Sequence, residues 1–529
     1  MREPVLPAVP SQLHSSPERS EIVGVRRRSF HVAAMSMFAG PLLTACGGSS
    51  PLGDAVETPL TPAPSPVSAS PPPVAASPSP SPAPPAPNPA PAPPAPPASA
   101  PAPSQPALDA PPPPANTPPS NLPSWVPPSG HVVKLTQANG GLSNHFRDIV
   151  APYFEPFYSV KVVNDYSGAV KNPYWGQFGC TVFFGGGHAA TNDNMVAIAE
   201  YGSSAISFKR VCDPTPWFGR GTDTANRSLN SIGNANSLMN MRYMESLADG
   251  KPGAPHSYGS GDIVGPEYGG ATNGSYLRVI AGPVNFHNPD GVVAAHEISF
   301  ADTSTPSSLL NWSRLTNEAT PTNTNWSPPQ LTAFVGPQLR VYMQSNDSTS
   351  NVRWFDRRRN TYVTGSGTTF GYDSADGFDS GIMFHVPSRG LLICMYPQGG
   401  LLQVQYMDVT VDQPSLGGTA SLRTTLNIAA PWSAGCWCPD NNRIIVIGVG
   451  GDRSAAYEIE IPNNLKSPWV VSRAPFQAGQ VLVPADMGGE SGFTYKKFHY
   501  DEKVRSIVYM PIAAATGDDT VWVYRPRST

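Results

Sequence analysis

The second half of the chain repeats a pattern of short apolar strands separated by polar loops. In the clearest copy, apolar residues 180–184 run into a glycine-rich turn, and two further strands are predicted at residues 195–199 and 208–211. Weaker copies follow at the spacing expected of propeller blades. Such a unit cannot bury both faces alone, whereas several units stacked around an axis can. We therefore predict an all-β fold, a β-propeller of about six blades, seven being possible.

The weaker copies each supply at least two predicted strands. These strands lie at residues 276–280 and 292–300, 339–343 and 352–356, 390–395 and 402–409, 443–447 and 456–460, and 504–509 and 520–524. Regularly spaced hairpins are also typical of other all-β folds, so a β-sandwich is the alternative that the spacing leaves open.

The two ends of a propeller have to be joined, because otherwise its first and last blades expose sheet edges. Within residues 131–135, Val132, Val133 and Leu135 are apolar although the tract before them is not, and residues 492–526 are short for four strands. We predict that residues 131–135 add to the blade containing residues 504–524 as its missing strand. The alternative is that this run is the frayed start of the domain.

Three details of the repeat indicate a family. They are the glycine run at residues 185–187, the asparagine before the next strand (Asn194), and an aromatic residue near the strand that closes a unit (Trp312 and Trp469). In these features, over residues 165–526, the chain resembles the kelch-type β-propeller in its galactose-oxidase-like branch. The resemblance implies a copper site made of two tyrosines and two histidines, but that set is not matched here residue by residue.

The N-terminus predicts where the protein works. Arg26–Arg28 is a charged segment, residues 30–43 are apolar but too short to span a bilayer, and residues 43–46 match a lipobox ending in Cys46. This order is typical of a bacterial lipoprotein signal, so we assign residues 1–45 to a signal peptide with an N-terminal extension. Cys46 would carry the lipid anchor, palmitate included. Residues 27–30 also resemble a twin-arginine export motif. Gly47 in place of an aspartate favours the outer membrane.

Residues 46–128 are rich in Pro, Ala and Ser and cannot form a packed core. Such a composition favours extended polyproline II, which rises about 3.1 Å per residue. We predict a disordered linker over residues 46–128, acting as a stalk or a neutral spacer, and a propeller domain over residues 129–529.

Composition narrows the class of partner. Charged residues make up 14% of the chain, and 34 Lys+Arg against 38 Asp+Glu give a net charge of −4. No basic stripe is present, so we do not expect nucleic acid as a partner. Polar uncharged loops with many aromatic residues suit a secreted protein that meets sugars or polymers. We expect a monomer that contacts the membrane through its lipid anchor.

Five cysteines remain once Cys46 is assigned to the lipid, so at least one thiol is expected to be free. Cys180 and Cys212 lie at the two ends of the clearest unit, where a disulfide is plausible. Cys436 and Cys438 would share one face of a strand, as small buried residues or, less simply, as metal ligands.

Four residues are candidates for ligand binding. His188 ends the glycine run, Asn194 precedes the next strand, and His256 and Tyr258 stand at the start of the second unit, where an inner strand would line the axis. Each histidine could equally be a hydrogen-bonded structural group. The other histidines in comparable positions are His287, His296, His385 and His499. The sequence shows no hydrolase elbow, phosphate loop or zinc-protease motif, so catalytic residues stay unassigned and no metal or cofactor is predicted.

Three functions remain open at this point. The first is an envelope-anchored propeller that binds a carbohydrate or other polymer without catalysis, because the fold is indicated more clearly than any catalytic set. The second is a copper radical oxidase or another metal enzyme. The third is a structural or assembly lipoprotein with a protein partner.

The lipid anchor can be tested directly. Substitution Cys46→Ser should release the protein from the membrane fraction or leave it unprocessed, because serine cannot carry the lipid. Fractionation of cells with an antibody against the C-terminus measures this. A mature, shortened Cys46→Ser protein that still sediments with membranes would contradict the lipobox assignment.

Overall fold

The computed structural model describes residues 121–150, 168–185, 194–214, 250–252, 259–280, 294–300, 304, 307, 310–315, 331–344, 351–371, 381–428, 434–482, 496–510 and 520–527. Residues 1–120, which contain the predicted signal and most of the predicted linker, lie outside this part of the chain. Among the described residues no helix has the length and apolar character needed to cross a bilayer.

Six antiparallel four-stranded sheets are arranged as blades around one axis. Blade 1 consists of β2 (Ala169–Asn172), β3 (Cys180–Phe184), β4 (Val196–Tyr201) and β5 (Ile206–Cys212). Blade 2 consists of β6 (Gly261–Val264), β7 (Ser275–Ile280), β8 (Ala294–Ser299) and β9 (Trp312–Arg314). Blade 3 consists of β10 (Leu331–Val335), β11 (Arg340–Gln344), β12 (Asn351–Asp356) and β13 (Thr361–Thr368).

Blades 4 and 5 follow the same order, and blade 6 uses both ends of the domain. Blade 4 consists of β14 (Ile382–Val386), β15 (Leu391–Gln398), β16 (Leu401–Asp408) and β17 (Leu416–Thr419). Blade 5 consists of β18 (Ala434–Cys438), β19 (Arg443–Ile447), β20 (Ala455–Glu460) and β21 (Val470–Pro475). Blade 6 consists of β22 (Phe498–Asp501), β23 (Ser506–Tyr509), β24 (Val521–Tyr524) and β1 (Val132–Leu135). The fold is a six-bladed β-propeller, so the seven-bladed and sandwich alternatives are wrong.

The ring is closed by β1, as the sequence predicted. It pairs antiparallel with β24, with Val132 opposite Tyr524 and Leu135 opposite Val521. Val132 packs in the apolar cluster between blades 5 and 6, whereas Leu135 packs in the cluster between blades 6 and 1. One short strand therefore supplies core contacts at two blade interfaces.

The apolar core is divided among the blade interfaces. Among the described residues the buried apolar side chains form six clusters, and each lies between two neighbouring blades. Alternation along the inner strands produces this division: Trp437 faces blade 4, whereas Cys436 and Cys438 face blade 6. The prediction that these two thiols share one face is thus confirmed.

The two ends of the ring differ in their connections. We call lower face the end where the turns between the first and second strands of each blade lie, and upper face the end where the chain passes from blade to blade. The residue before each second strand has a φ between 50° and 86°, and these residues are Gly179, Gly274, Leu339, Gly390, Asn442 and Arg505. The same left-handed position recurs in all six blades, which gives every lower turn a similar shape.

Polar contacts on the lower face join every pair of neighbouring blades. Each contact links a first-to-second-strand turn to the next blade: Tyr174 to Glu267, Arg357 to the Tyr268 carbonyl, Gln338 to the Val409 carbonyl, Arg389 to the Ile461 carbonyl, Asn441 to the Arg527 carbonyl, and Lys503 to the Gly176 carbonyl. The lower face is therefore a continuous, cross-linked rim.

The structured part of the chain begins before residue 129, which corrects the predicted linker boundary. Trp125 is buried in the cluster between blades 6 and 1, and its Nε1 donates to the Gly202 carbonyl at 2.8 Å. Its ring also packs edge-to-face on Tyr201, with centroids 5.7 Å apart. Together with the Ser124 amide, which donates to the Ser203 carbonyl at 2.8 Å, this tryptophan anchors the end of the Pro-rich tract on the propeller.

After β1 the chain runs along the outer edge of blade 1. Asn144 binds both the amide and the carbonyl of Phe208 in β5, and the short helix α1 (Phe146–Val150) follows. Phe146 packs edge-to-face on Phe183 and Phe208. This segment covers an edge strand that would otherwise expose unpaired backbone groups.

The predicted bridge between Cys180 and Cys212 is not formed, and both are free thiols. Cys180 lies opposite Glu200, which in turn lies opposite Ser207 near the start of β5, whereas Cys212 ends β5. Across the sheet, the two thiols are separated by two strand spacings of about 4.8 Å each. Along the strands, they are separated by almost the whole length of β5. Cysteines whose Cα atoms are more than about 7 Å apart cannot be bridged without backbone movement.

Three truncations test the contributions of Trp125 and β1. A chain starting at residue 121 should melt like the full chain. A chain starting at residue 129 should lose about 3–5 kcal/mol, the usual cost of removing a buried tryptophan side chain. A chain starting at residue 140 should lose more, because it also opens the ring. Chemical denaturation measures all three, and equal stability of the three chains would contradict closure by β1.

Candidate functional site

The upper face carries the connections that contain most of the predicted ligand-binding residues. His188 belongs to the connection between β3 and β4, and His256 and Tyr258 belong to the one between β5 and β6. These three residues, and His287, lie outside the described part of the chain. Their role in ligand binding stays a prediction.

Asn194, the fourth candidate, is fully buried just before β4. Its Nδ2 donates to the Pro252 carbonyl at 3.3 Å. The side chain therefore ties the start of β4 to the connection that leads into blade 2. In this position Asn194 supports the upper face from inside.

A buried ion pair joins three blades near the upper end of the inner strands. Lys496, just before β22 of blade 6, donates to Asp262 Oδ1 at 2.8 Å, to the Gly261 carbonyl at 3.0 Å and to Thr332 Oγ1 at 3.2 Å. Asp262 belongs to blade 2 and Thr332 to blade 3. Lys496 of blade 6 therefore passes its neighbour, blade 1, and bonds to the two blades beyond it. Asp262 Oδ2 also accepts a hydrogen bond from Thr332 Oγ1 at 2.5 Å.

This arrangement satisfies all three protons of the Lys496 ammonium group. Burial lowers the pKa of Lys496, and Asp262 partly offsets that effect. A buried charge pair is stable only when its remaining hydrogen-bonding groups are also satisfied. The pair therefore bonds the upper ends of the inner strands of blades 2 and 3 to blade 6.

His499 holds the backbone of Lys496 in place. Its Nδ1 lies 3.0 Å from the Lys496 carbonyl, and its Nε2 lies 3.1 Å from Thr181 Oγ1 and 3.2 Å from the Tyr201 hydroxyl. Burial lowers the pKa of His499 to about 4. The imidazole is therefore neutral at ordinary pH and links blade 6 to blade 1. Lys496 itself has a positive φ of 65°, a strained conformation that this network maintains.

The same blade interface carries acidic groups at its lower end. Lys171 of β2 forms an ion pair with Glu502 in the turn after β22. Asp501, at the end of β22, is fully buried and accepts a hydrogen bond from the Lys503 amide at 2.8 Å. Burial, with Glu502 nearby, raises the pKa of Asp501 to about 7.

Three of the other histidines that the sequence singled out are described, and they do not share a site. His296 lies on β8 of blade 2, His385 on β14 of blade 4 and His499 on β22 of blade 6. Burial lowers the pKa of His385 to about 4. Within the described ranges no group of three or more His, Cys, Asp or Glu side chains is placed to hold a metal ion.

Sequence reasoning missed Lys496, Asp262 and Thr332 as a cluster. Their signal was weak, because Lys496 and Asp262 are far apart in sequence. Lys496 lies just before β22, and Asp262 is the second residue of β6. A single charge within or just before a strand of four residues is the feature that could have drawn attention to them.

The chain is a six-bladed β-propeller, and no protein-family model and no curated protein matches it. Similar solved structures include an auxiliary nutrient binding protein from Bacteroides ovatus (8% identity, covering 74% of this chain and 76% of that chain, TM-score 0.34) and the Dos1 propeller (12%, 66% and 74%, 0.28). Another is an endo-1,5-alpha-L-arabinanase from Thermotoga petrophila in complex with Tris (10%, 67% and 87%, 0.29). At these scores the similarities carry no argument about function.

The neutral imidazole of His499 predicts a pH effect on stability. Its folded pKa of about 4 lies below the unfolded value of 6.5, so its contribution is complete above pH 6.5 and is lost as the pH falls towards 4. The stability difference between wild type and His499→Gln should therefore shrink by about 3 kcal/mol over this window. Asp501 has the opposite slope, but it is present in both proteins and cancels in the difference.

Chemical denaturation at several pH values measures this difference. The matched control is His131→Gln, which removes a partly exposed histidine next to β1. A wild-type to His499→Gln difference that stays constant from pH 7 to pH 4 would contradict the buried, neutral state of His499.

Proposed function

We propose that the chain is a lipid-anchored β-propeller of the bacterial cell envelope that binds a carbohydrate or other polymer without catalysis. The observation that carries the proposal is the difference between the two ends of the ring. The lower face is a cross-linked rim of short turns, whereas the connections that leave the upper strand ends are long in sequence. Strand β5 ends at Cys212 and β6 begins at Gly261, and β21 ends at Pro475 and β22 begins at Phe498. Binding residues are concentrated in loops held by a rigid scaffold.

The entry of the chain into the ring supports the same orientation. Trp125 is bonded to the turn between β4 and β5, and the Gly130 amide donates to the Arg525 carbonyl just after β24. Both contacts are on the lower face. The chain therefore enters the propeller at its lower face, the face opposite the upper connections.

The state of the buried charges favours binding over catalysis. General acid–base catalysis needs a group that can reach the substrate and exchange a proton. Lys496 and Asp262 are instead bonded to each other and to Thr332, and His499 is bonded on both ring nitrogens. These groups stabilise the ring, so specificity would reside in the loops above them.

The test is binding of the full chain, carrying Cys46→Ser for solubility, to a glycan array and to cell-envelope polymers. We expect saturable binding of at least one polymer, no change in that polymer on long incubation, and loss of binding in a His188→Ala, His256→Ala double variant. The matched control is Asp412→Ala, an exposed residue in a lower turn, which should bind like wild type.

Three outcomes would overturn the proposal. They are absence of binding to any polymer, cleavage or oxidation of the bound polymer, and equal loss of binding in the Asp412→Ala control. Stoichiometric copper in the purified protein, with peroxide formation from alcohols, would establish the oxidase alternative instead.

A further inference from the structure

The interface between blades 6 and 1, which closes the ring, contains a carboxyl group that is buried with one oxygen unsatisfied. Asp501, the last residue of β22, is fully buried. Its Oδ1 accepts a hydrogen bond from the Lys503 amide at 2.8 Å, whereas its Oδ2 has no hydrogen-bond partner among the described residues. Burial of an unsatisfied charged group is costly, so a proton on this carboxyl lowers the cost of burying it.

Asp501 faces the lower turn of blade 1. It lies on the same side of β22 as His499, which contacts Thr181 and Tyr201 of blade 1. A Cβ atom at Gly179 would stand 3.1 Å from Asp501 Oδ2, which is tighter than an ordinary contact. Gly179 also has a φ of 86°, a conformation that favours glycine. The glycine therefore lets the carboxyl approach the backbone of blade 1.

The turn after Asp501 bonds blade 6 to blade 1 at two further points. Glu502 forms an ion pair with Lys171 of β2, and the Lys503 ammonium group donates to the Gly176 carbonyl at 3.2 Å. Asp501 accepts from the backbone of the same turn, so it shapes the segment from which both contacts are made. A change in its charge therefore acts on the lower end of the closing interface.

The surroundings of Asp501 favour its neutral form. Burial, with Glu502 nearby, raises the pKa of Asp501 to about 7, and Lys171 and two backbone amides of the turn offset this only in part. Lys171 is paired with Glu502, which limits the help that it gives to Asp501. The carboxyl is therefore neutral in mildly acidic solution and charged in mildly alkaline solution.

Other titratable groups that face Asp501 keep one protonation state over this range. On blade 1, burial raises the pKa of Cys180 and of Tyr201 well above the usual values, so both groups stay neutral. On β22 itself, burial lowers the pKa of His499 to about 4, so the imidazole stays neutral. Burial lowers the pKa of Lys503, and the Asp501 carboxylate opposes that effect. Asp501 thus changes charge where Cys180, Tyr201 and His499 do not.

We propose that Asp501 is a proton switch for ring closure, which stabilises the interface between blades 6 and 1 in its neutral form and weakens it in its charged form. The step is the binding of one proton from solvent to the carboxylate. The ring is then most stable in mildly acidic surroundings and loosens as they become alkaline. This inference goes beyond the binding of a polymer and does not depend on it.

The direction of the pH effect follows from the two states of the chain. The folded pKa of about 7 lies above the ordinary value of 3.8, so the contribution of Asp501 is complete below pH 3.8 and is lost as the pH rises through 7. Within this window each pH unit changes the unfolding equilibrium about tenfold. From pH 5 to pH 8 the unfolding constant should therefore rise about a hundredfold relative to that of Asp501→Asn, whose amide carries no charge.

The experiment is chemical denaturation of the full chain carrying Cys46→Ser, with and without a second substitution, at pH values from 5 to 8. Asp501→Asn removes the switch. Asp412→Asn is the matched control, because it removes an exposed carboxylate from another lower turn. Glu502→Gln removes the like charge beside Asp501 and frees Lys171 to approach it, so the window should move to lower pH.

Infrared spectroscopy of the same proteins reports the proton itself. The parent chain should show the C=O band of a neutral carboxyl group that fades between pH 6 and pH 8, and Asp501→Asn should lack this change. The band of the parent chain decides the question even where the Asp501→Asn variant does not fold.

Three results would overturn the inference. The first is a stability difference between the parent chain and Asp501→Asn that stays constant from pH 5 to pH 8. The second is the same trend for Asp412→Asn, which would reveal a general effect of charge. The third is a parent chain whose infrared spectrum contains no neutral carboxyl group that titrates between pH 6 and pH 8.

Discussion

The structure depends on the pairing of β1 with β24, because this contact turns five blade interfaces into six. Among the residues that the structure describes, each interface holds its own apolar cluster. An open chain of blades would expose the facing surfaces of blades 1 and 6, where Leu135 and Trp125 are buried. The hydrophobic contribution of that interface is available only when the chain ends meet.

The closing interface is also where buried polar groups accumulate. His499 and Asp501 lie on the inner strand of blade 6, and Lys496 and Glu502 lie beside it. Through these groups blade 6 is bonded to blades 1, 2 and 3. Polar networks of this kind contribute directional contacts, which specify one register and one neighbour more strictly than apolar packing does. The network thus favours a ring of one size.

The sequence predicted the second and third strands of the blades well but not the first. The strands at residues 443–447 and 352–356 are apolar runs with clear ends, whereas the inner strand β6 reads Gly-Asp-Ile-Val and gives no periodic signal. An inner strand lies next to the axis of the ring, so contacts with distant parts of the chain determine which residues it contains. Closure by residues 131–135 was predictable because an apolar run contrasts with the tract before it.

Long-range partners explain what the sequence could not provide. The contact between Lys496 and Asp262 depends on how the blades are arranged in space, and no local pattern encodes it. The bridge between Cys180 and Cys212 was plausible from their positions in one unit but failed because antiparallel register separates the ends of β3 and β5. The alignment of Arg278, His296 and Arg314 across three strands of blade 2 likewise becomes visible only once the strands are paired.

Hydrogen exchange of the full chain tests the central claim most directly, by comparing the amides of β1 and β24 with those of β23. Closure predicts that the hydrogen-bonded amides of β1 and β24 exchange only through global unfolding, with protection similar to that of β23. If the amides of β1 exchange as fast as an unstructured peptide while those of β23 stay protected, the ring is not closed by its N-terminal strand.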